Sequence, residues 1–178
     1  MRIRMLPISF AFNRFPRLIH DLSNKMGKEI ELILKGEQTE LDKTVMEQIG
    51  DPLTHLVRNA VDHGIESAQV RKAKGKPSKG TITLDAYHQG GNIVIEISDD
   101  GGGIDREAVF YKAVEKGIIE ESTVLNDAQV FDLIFEPGFS TAKEISDISG
   151  RGVGMDVVKK NIQALGGRIQ IESEQGKG

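Results

Sequence analysis

The sequence predicts an α+β fold, a two-layer sandwich of helices on a mixed, mostly antiparallel sheet. Three observations carry this. Helical and strand patterns come in blocks instead of strict alternation. Two alternating runs, Thr81–Tyr87 and Asn92–Ser98, meet at Gly90-Gly91 as a hairpin. Amphipathic segments with capping residues flank that hairpin on both sides. With 178 residues, 38% of them apolar and 28% charged, the chain suits one folded domain, or one domain with a short attached element.

Taken in order, residues 1 to 27 read as an extended, basic lead-in and a short helix that Gly27 ends. They are expected to form a lead-in to a main domain spanning 28 to 178. Alternation from Lys28 to Lys35 predicts a strand closed by a turn at Gly36. A helix starts at the Asp42 cap. Gly50-Asp51-Pro52 is expected to break it and restart a second helix, with Asp51 as N-cap and proline at the first helical position. That helix should run to His63, with Gly64 past its end.

Residues 68 to 80 are lysine-rich with Gly75, Pro77 and Gly80, and read as a solvated loop. After the hairpin, helices are predicted at 106–116 and 127–135, capped by Asp105 and Asn126. Residues 136 to 150 offer few core positions and read as mobile. The helix after Gly154 places Met155, Val158, Ile162 and Leu165 on one face and stops at Gly166-Gly167. A final strand is expected from Arg168 to Ser173.

Composition excludes several classes. The formal net charge of -4 rules against broad nucleic-acid binding, so a phosphate-rich ligand must be held by local donors and metal. The absence of cysteine excludes thiol zinc sites and fits a reducing cytoplasm, the expected location. No run reaches the roughly 20 apolar residues that cross a bilayer. No membrane insertion and no secretion signal are expected.

Three glycine- or amide-bearing segments carry chemistry. On a wheel for residues 52 to 63, Leu53, Leu56, Val57, Ala60 and Val61 fill one arc, while His55, Arg58, Asn59, Asp62 and His63 fill the other. A merely solvated face would carry Lys and Glu pairs; imidazoles, an amide and a guanidinium are ligand-binding groups. The histidine spacing is a poor zinc signature, whereas a neutral amide oxygen suits magnesium. Asp99-x-Gly-x-Gly103 follows an apolar strand directly: its carboxylate can accept from a ligand amino group, and its glycines admit a flat ring. Gly150-Arg-Gly-Val-Gly154 opens a helix, where free N–H groups and the dipole favour phosphate. The spacing matches neither the dinucleotide-binding fingerprint nor the P-loop.

In this order the segments resemble the GHKL superfamily of Bergerat-fold ATPases and kinases, and more closely the CheA family of chemotaxis histidine kinases. His55-Leu-Val-Arg-Asn-Ala-Val-Asp-His-Gly64 looks like the N box and Asp99-Asp-Gly-Gly-Gly-Ile-Asp105 like the G1 box. Phe135-Glu-Pro-Gly-Phe139 looks like the F box and Gly150-Arg-Gly-Val-Gly-Met-Asp156 like the G2 box. The two N-box histidines and Pro-Gly-Phe-Ser-Thr141 point to the chemotaxis kinases, and the lead-in is similar to the junction after their dimerisation helices.

The resemblance implies an ATP-dependent protein histidine kinase domain with ATP and Mg2+ as ligands. Asn59 would hold magnesium and Asp99 would accept from the adenine amino group in a pocket shaped by Gly101 and Gly103. Gly150, Gly152 and Gly154 would border the triphosphate. Arg58, Ser140, Thr141, Arg151, Val153 and Met155 would add nucleotide contacts, and a lid over 136–150 would bring in Lys143. His55 stands where hydrolytic relatives carry a water-activating glutamate. With His63 beside the terminal phosphoryl group, transfer to an external nucleophile is favoured over hydrolysis.

That nucleophile would be a histidine on a separate phosphotransfer domain, in cis or trans, serving a response regulator. His20 lacks the rest of a phosphoacceptor signature. The family continues past Gly178 with another strand, so the chain is expected to be a C-terminally truncated piece. Such a piece would be monomeric, although the longer protein would dimerise and reach chemoreceptor and coupling protein through other domains. The competing readings are a GHKL hydrolase or a non-catalytic nucleotide-sensing module.

Overall fold

The computed structural model describes residues 4–140 and 154–178, which divide into two units, Met1–Gly102 with Gly178, and Gly103–Lys177. The first unit runs β1 (Met5–Pro7), α1 (Ser9–Phe12), α2 (Phe15–Met26), β2 (Ile30–Lys35), β3 (Glu40–Asp42) and α3 (Lys43–Asn59). A π turn (Ala60–Gly64), α4 (Ala68–Ala73), β4 (Gly80–Gln89) and β5 (Asn92–Asp99) complete it. Strand β4 lies between β2, which is parallel to it, and β5, which is antiparallel, and β1 pairs antiparallel with β3. The sheet is mixed, as predicted.

One core joins the layers. Ile82, Leu84 and Ala86, the alternate positions of β4, are buried with Phe12, Phe15 and Ile19 from α1 and α2 and with Met46, Ile49, Leu53 and Val57 from α3. Each large apolar side chain so buried contributes about 1.5–3 kcal/mol. The hairpin is the predicted one: Gly90 and Gly91 both take positive φ, +57° and +81°, the backbone of a primed two-residue turn. Gly27 ends α2 with φ +64°.

Three local expectations fail here for physical reasons. Gly50-Asp51-Pro52 does not break the helix: α3 runs from the Asp42 cap through Pro52 to Asn59. Met46, Ile49, Leu53 and Val57 form one buried stripe across the proline, so tertiary burial outweighs the lost hydrogen bond. Gly50 instead admits a neighbour, since a Cβ there would come within 2.8 Å of the Arg14 guanidinium. The expected α-helical end at His63 is a π turn, closed by Ile65 N–H donating to Ala60 O at 2.8 Å. The loop expected at 68–80 contains α4, capped by Ser67 Oγ, which accepts from Val70 N.

The second unit contains α5 (Arg106–Glu115), α6 (Asp127–Asp132) with a 3-10 turn (Leu133–Phe135), and α7 (Met155–Ala164). Asp105 caps α5, and Asn126 with Gln129 forms a reciprocal capping box on α6. Its core gathers Ala113, Val130, Leu133 and Phe139. The strand predicted at 168–173 is corrected. Ile169 and Ile171 are half-buried in alternation, as expected, yet no described strand pairs with them and no ladder forms. The mobile stretch expected at 136–150 lies, from 141 on, outside the described residues.

Candidate functional site

The polar side of α3 is not a solvated face. His55 is only 7% exposed, and its Nδ1 is buried without a hydrogen-bond partner among the described residues. Burial, and then the Arg58 charge, lower its pKa below 6.5, so the ring is neutral at physiological pH. Asn59 follows one turn later with Oδ1 buried. Beyond it the π turn leaves carbonyls for another donor: Lys28 Nζ donates to Val61 O at 2.7 Å and Asp62 O at 2.9 Å. Burial lowers the Lys28 pKa, against the opposing pull of Asp62 and Glu66. His63 is exposed, with Nε2 3.3 Å from Asp62 Oδ2. His63 thus lies in the π turn, beyond the α-helix on which the wheel placed it.

Asp99 closes β5. Its Oδ1 accepts from Gly101 N at 2.9 Å, and burial, the largest influence, raises its carboxyl pKa. Glycine is required after it at Gly101, and Gly64 opposite leaves little room for a side chain. A Cβ on Gly101 would stand 1.9 Å from Gly64 O, and one on Gly64 would stand 3.0 Å from Asp99 Oδ2. Gly102 N donates to Gly64 O at 3.0 Å. Two segments far apart in sequence, the end of the π turn and the turn after β5, are therefore fastened together around one carboxylate.

Reasoning from sequence missed what supports this turn. Arg71, expected in a solvated loop, is 1% exposed. It donates to Glu66 Oε1 at 3.0 Å, to Asp100 O at 3.1 Å and to Asp100 Oδ2 at 3.2 Å. Lys76 Nζ donates to Glu66 Oε2, Asp100 O and Gly101 O at 2.9, 3.1 and 2.8 Å. Burial alone would raise the Glu66 carboxyl, yet the Lys76 hydrogen bond, the backbone and the two cations hold it below its usual value. The available signal was Ser67 ahead of the helix-forming Ala-Gln-Val-Arg-Lys-Ala.

The second unit holds the remaining candidates. Gly103 takes φ +72°, and a Cβ there would meet Glu174 O at 2.4 Å. Gly154 is the N-cap of α7 and leaves that helix without a side-chain cap. Met155 is 7% exposed and Ser140 is half-buried. Phe135 and Phe139 are buried, with ammonium groups of Lys159 and Lys112 lying 5.6 and 4.7 Å from the respective ring centres. Thr141, Lys143, Gly150, Arg151, Gly152 and Val153 lie outside the described residues.

The first unit thus offers a half-buried carboxylate on a glycine floor, a neutral imidazole and an amide oxygen. Among the described residues no three His, Cys, Asp or Glu side chains gather as a metal cage. A cation would rely on Asn59 and on oxygens brought by its ligand, a donor set that fits magnesium with a polyphosphate.

Residues 48–178 match the family described as histidine kinase-, DNA gyrase B-, and HSP90-like ATPase. Over its whole length the chain is 51% identical to chemotaxis protein CheA of Bacillus subtilis and 54% identical to sensor histidine kinase CheAY of Helicobacter pylori. It spans 27% and 22% of their lengths. Among solved structures, the catalytic domain of histidine kinase ThkA aligns at TM-score 0.58 and 16% identity, over 99% of this chain and 90% of that one. Acinetobacter baumannii histidine kinase AdeS aligns at 0.53 and 18% identity, over 99% and 64%. No described helix is long and apolar enough to cross a membrane.

Proposed function

The chain belongs to the histidine kinase-, DNA gyrase B-, and HSP90-like ATPase family, and on that premise we propose that it is the ATP-binding catalytic domain of a chemotaxis histidine kinase. In this reading it transfers the terminal phosphoryl group of ATP to a histidine on a phosphotransfer domain. The names carried by the relatives that match its full length support the class. The observation that carries the chemistry is His55: a buried, neutral imidazole, and no carboxylate, stands one helical turn before Asn59. A neutral ring can donate to a phosphate oxygen but does not activate water as a carboxylate base does, which favours an external acceptor.

Asp99 accepts from the adenine amino group, and Gly64 and Gly101 keep the floor beside it free of side chains. Asn59 would hold magnesium, which would supply positive charge against the phosphates. His63, with Arg58, faces the phosphates. Gly103, Ser140, Thr141, Gly150, Arg151, Gly152, Val153, Gly154 and Met155 complete the nucleotide contacts, and Lys143 reaches the terminal phosphate from the 136–150 lid. Residues 1–27 lead in from a dimerisation region, and the phosphotransfer domain, response regulator, chemoreceptor and coupling protein engage the longer cytoplasmic protein.

The test is calorimetric titration with ATP and magnesium, followed by incubation with terminal-phosphate-labelled ATP with and without a separately supplied phosphotransfer domain. Expected are magnesium-dependent binding that Asn59→Ala abolishes, negligible label on the chain alone, and base-stable, acid-labile label on the added domain. Rapid phosphate release without any acceptor would overturn the reading in favour of a hydrolase. Binding with no transfer would leave a nucleotide sensor.

A further inference from the structure

Lys76 and Arg71 take no part in the ligand chemistry proposed above, yet both are spent on the turn after β5. An ammonium has three donors, and Lys76 places them on Glu66 Oε2, Asp100 O and Gly101 O. Arg71 adds bonds to Asp100 O and Asp100 Oδ2 and ties Nε to Pro77 O at 2.7 Å. Thr81 N holds the other Asp100 oxygen at 2.8 Å.

With the Asp100 and Gly101 carbonyls drawn toward these cations, the Gly101 and Gly102 N–H groups are left to Asp99 Oδ1 and Gly64 O. Asp99 Oδ1 is thereby committed to its own turn, and Oδ2 is the oxygen remaining for a ligand. Buried ion networks add little net stability over well-packed apolar side chains. What this network supplies is the orientation of two peptide planes.

We infer that Lys76 and Arg71 are positioning residues for base recognition, holding the Asp100 and Gly101 carbonyls and so aiming the Asp99 carboxylate. The inference rests on the reading of Asp99 as the acceptor for adenine. The segment 66–77 then acts as a specificity element, although none of its side chains touches the base.

The experiment is a double-mutant cycle in the full 178-residue chain, with Lys76→Met, Asp99→Asn and their combination titrated with ATP and with GTP in magnesium. Lys76→Met is expected to weaken ATP binding about tenfold, to narrow the preference for ATP over GTP, and to cost nothing further once Asp99 is Asn. Lys76→Arg, which keeps the charge, should recover part of the loss. If Lys76→Met does not fold, Arg71→Lys is read through the same cycle. Unchanged affinity, or an equal loss with and without Asp99, shows that the network only stabilises the fold and sinks the inference. An Asp99→Asn variant that binds ATP normally sinks the adenine reading itself, a separate result.

Discussion

The two units place their candidate residues on supports of different kinds. In the first, Asp99 ends a strand of a three-stranded sheet whose central strand buries Ile82, Leu84 and Ala86, and the following turn is held by a partly buried ionic network. In the second, which carries Ser140, Gly154 and Met155, the core is a small helical one of Ala113, Val130, Leu133 and Phe139, with no ladder among the described residues. Groups that recognise a fixed planar shape need a stiff frame; groups that must close over a ligand and release it are drawn from the less stable end of a fold. On the proposed function, the base is read by the stiffer support.

The largest effect expected from this contrast is at Asp99. Asp99→Ala should erase a preference for adenine over guanine nucleotides of about 10⁴, because a site built to hydrogen-bond a ligand amino group rejects analogues that lack it. Competition titration measures this, and equal binding of ATP and GTP by the parent chain would contradict it. The loss should be functional and not structural. Burial raises the Asp99 carboxyl above 3.8, so the folded state binds more protons, and stability is lost as pH rises through the window above 3.8. At neutral pH that cost is fully present, and Asp99→Asn should therefore melt no lower than the parent.

The contrast breaks or holds on a pair of identical truncations. Leu84→Ala in the sheet core and Leu133→Ala in the helical core each remove a buried side chain and should each cost about 2–5 kcal/mol. Amide exchange should show Leu84→Ala lowering protection throughout the first unit, whereas Leu133→Ala frees amides of α5 and α6 and spares β2, β4 and β5. Equal loss everywhere in both variants would mean that the units melt as one. A smaller effect is expected at Asn126→Ala, which removes the α6 capping box at about 1 kcal/mol, again felt only in the second unit. The smallest is a pH dependence. Burial lowers the His55 pKa below 6.5, so the unfolded chain binds more protons, and stability falls as pH drops from about 6.5 toward the lowered value. His55→Gln should flatten that part of the melting curve against pH.

Local signals were legible. The Gly90-Gly91 hairpin, the Asp42, Asp105 and Asn126 caps and the Gly27 stop each need only a few adjacent residues, and all are present. What sequence reasoning lost depends on distant partners. Pro52 reads as a break until its helix is seen to bury one continuous stripe. Arg71 and Lys76 read as solvated until Asp100 and Glu66 arrive from elsewhere. The π turn needs Lys28, more than thirty residues away, to take its carbonyls. The Arg168–Ser173 pattern alternates correctly, but alternation does not supply a partner strand. Of the candidate site, the residue types were readable at Asn59 and Asp99. The burial of His55 and the fastening of Gly64 to Gly101 were not.

The parallel pairing of β2 with β4 also sets an order of events in folding. Strands β4 and β5 are joined by two residues and can zip within about 1–10 μs, whereas β2 pairs Ile30 with Gly80 and must close the long intervening segment, α3 and α4 included, before any rung is gained. The hairpin should therefore exist for a time with the β2-facing edge of β4 open. The flanks of that edge carry charge, with Lys79 before the strand and Asp85 within it, a pattern that discourages pairing with another copy of the chain. Truncations in β2 should then mainly speed unfolding and those in the hairpin mainly slow folding, which stopped-flow kinetics of Ile30→Val and Ile95→Val would separate.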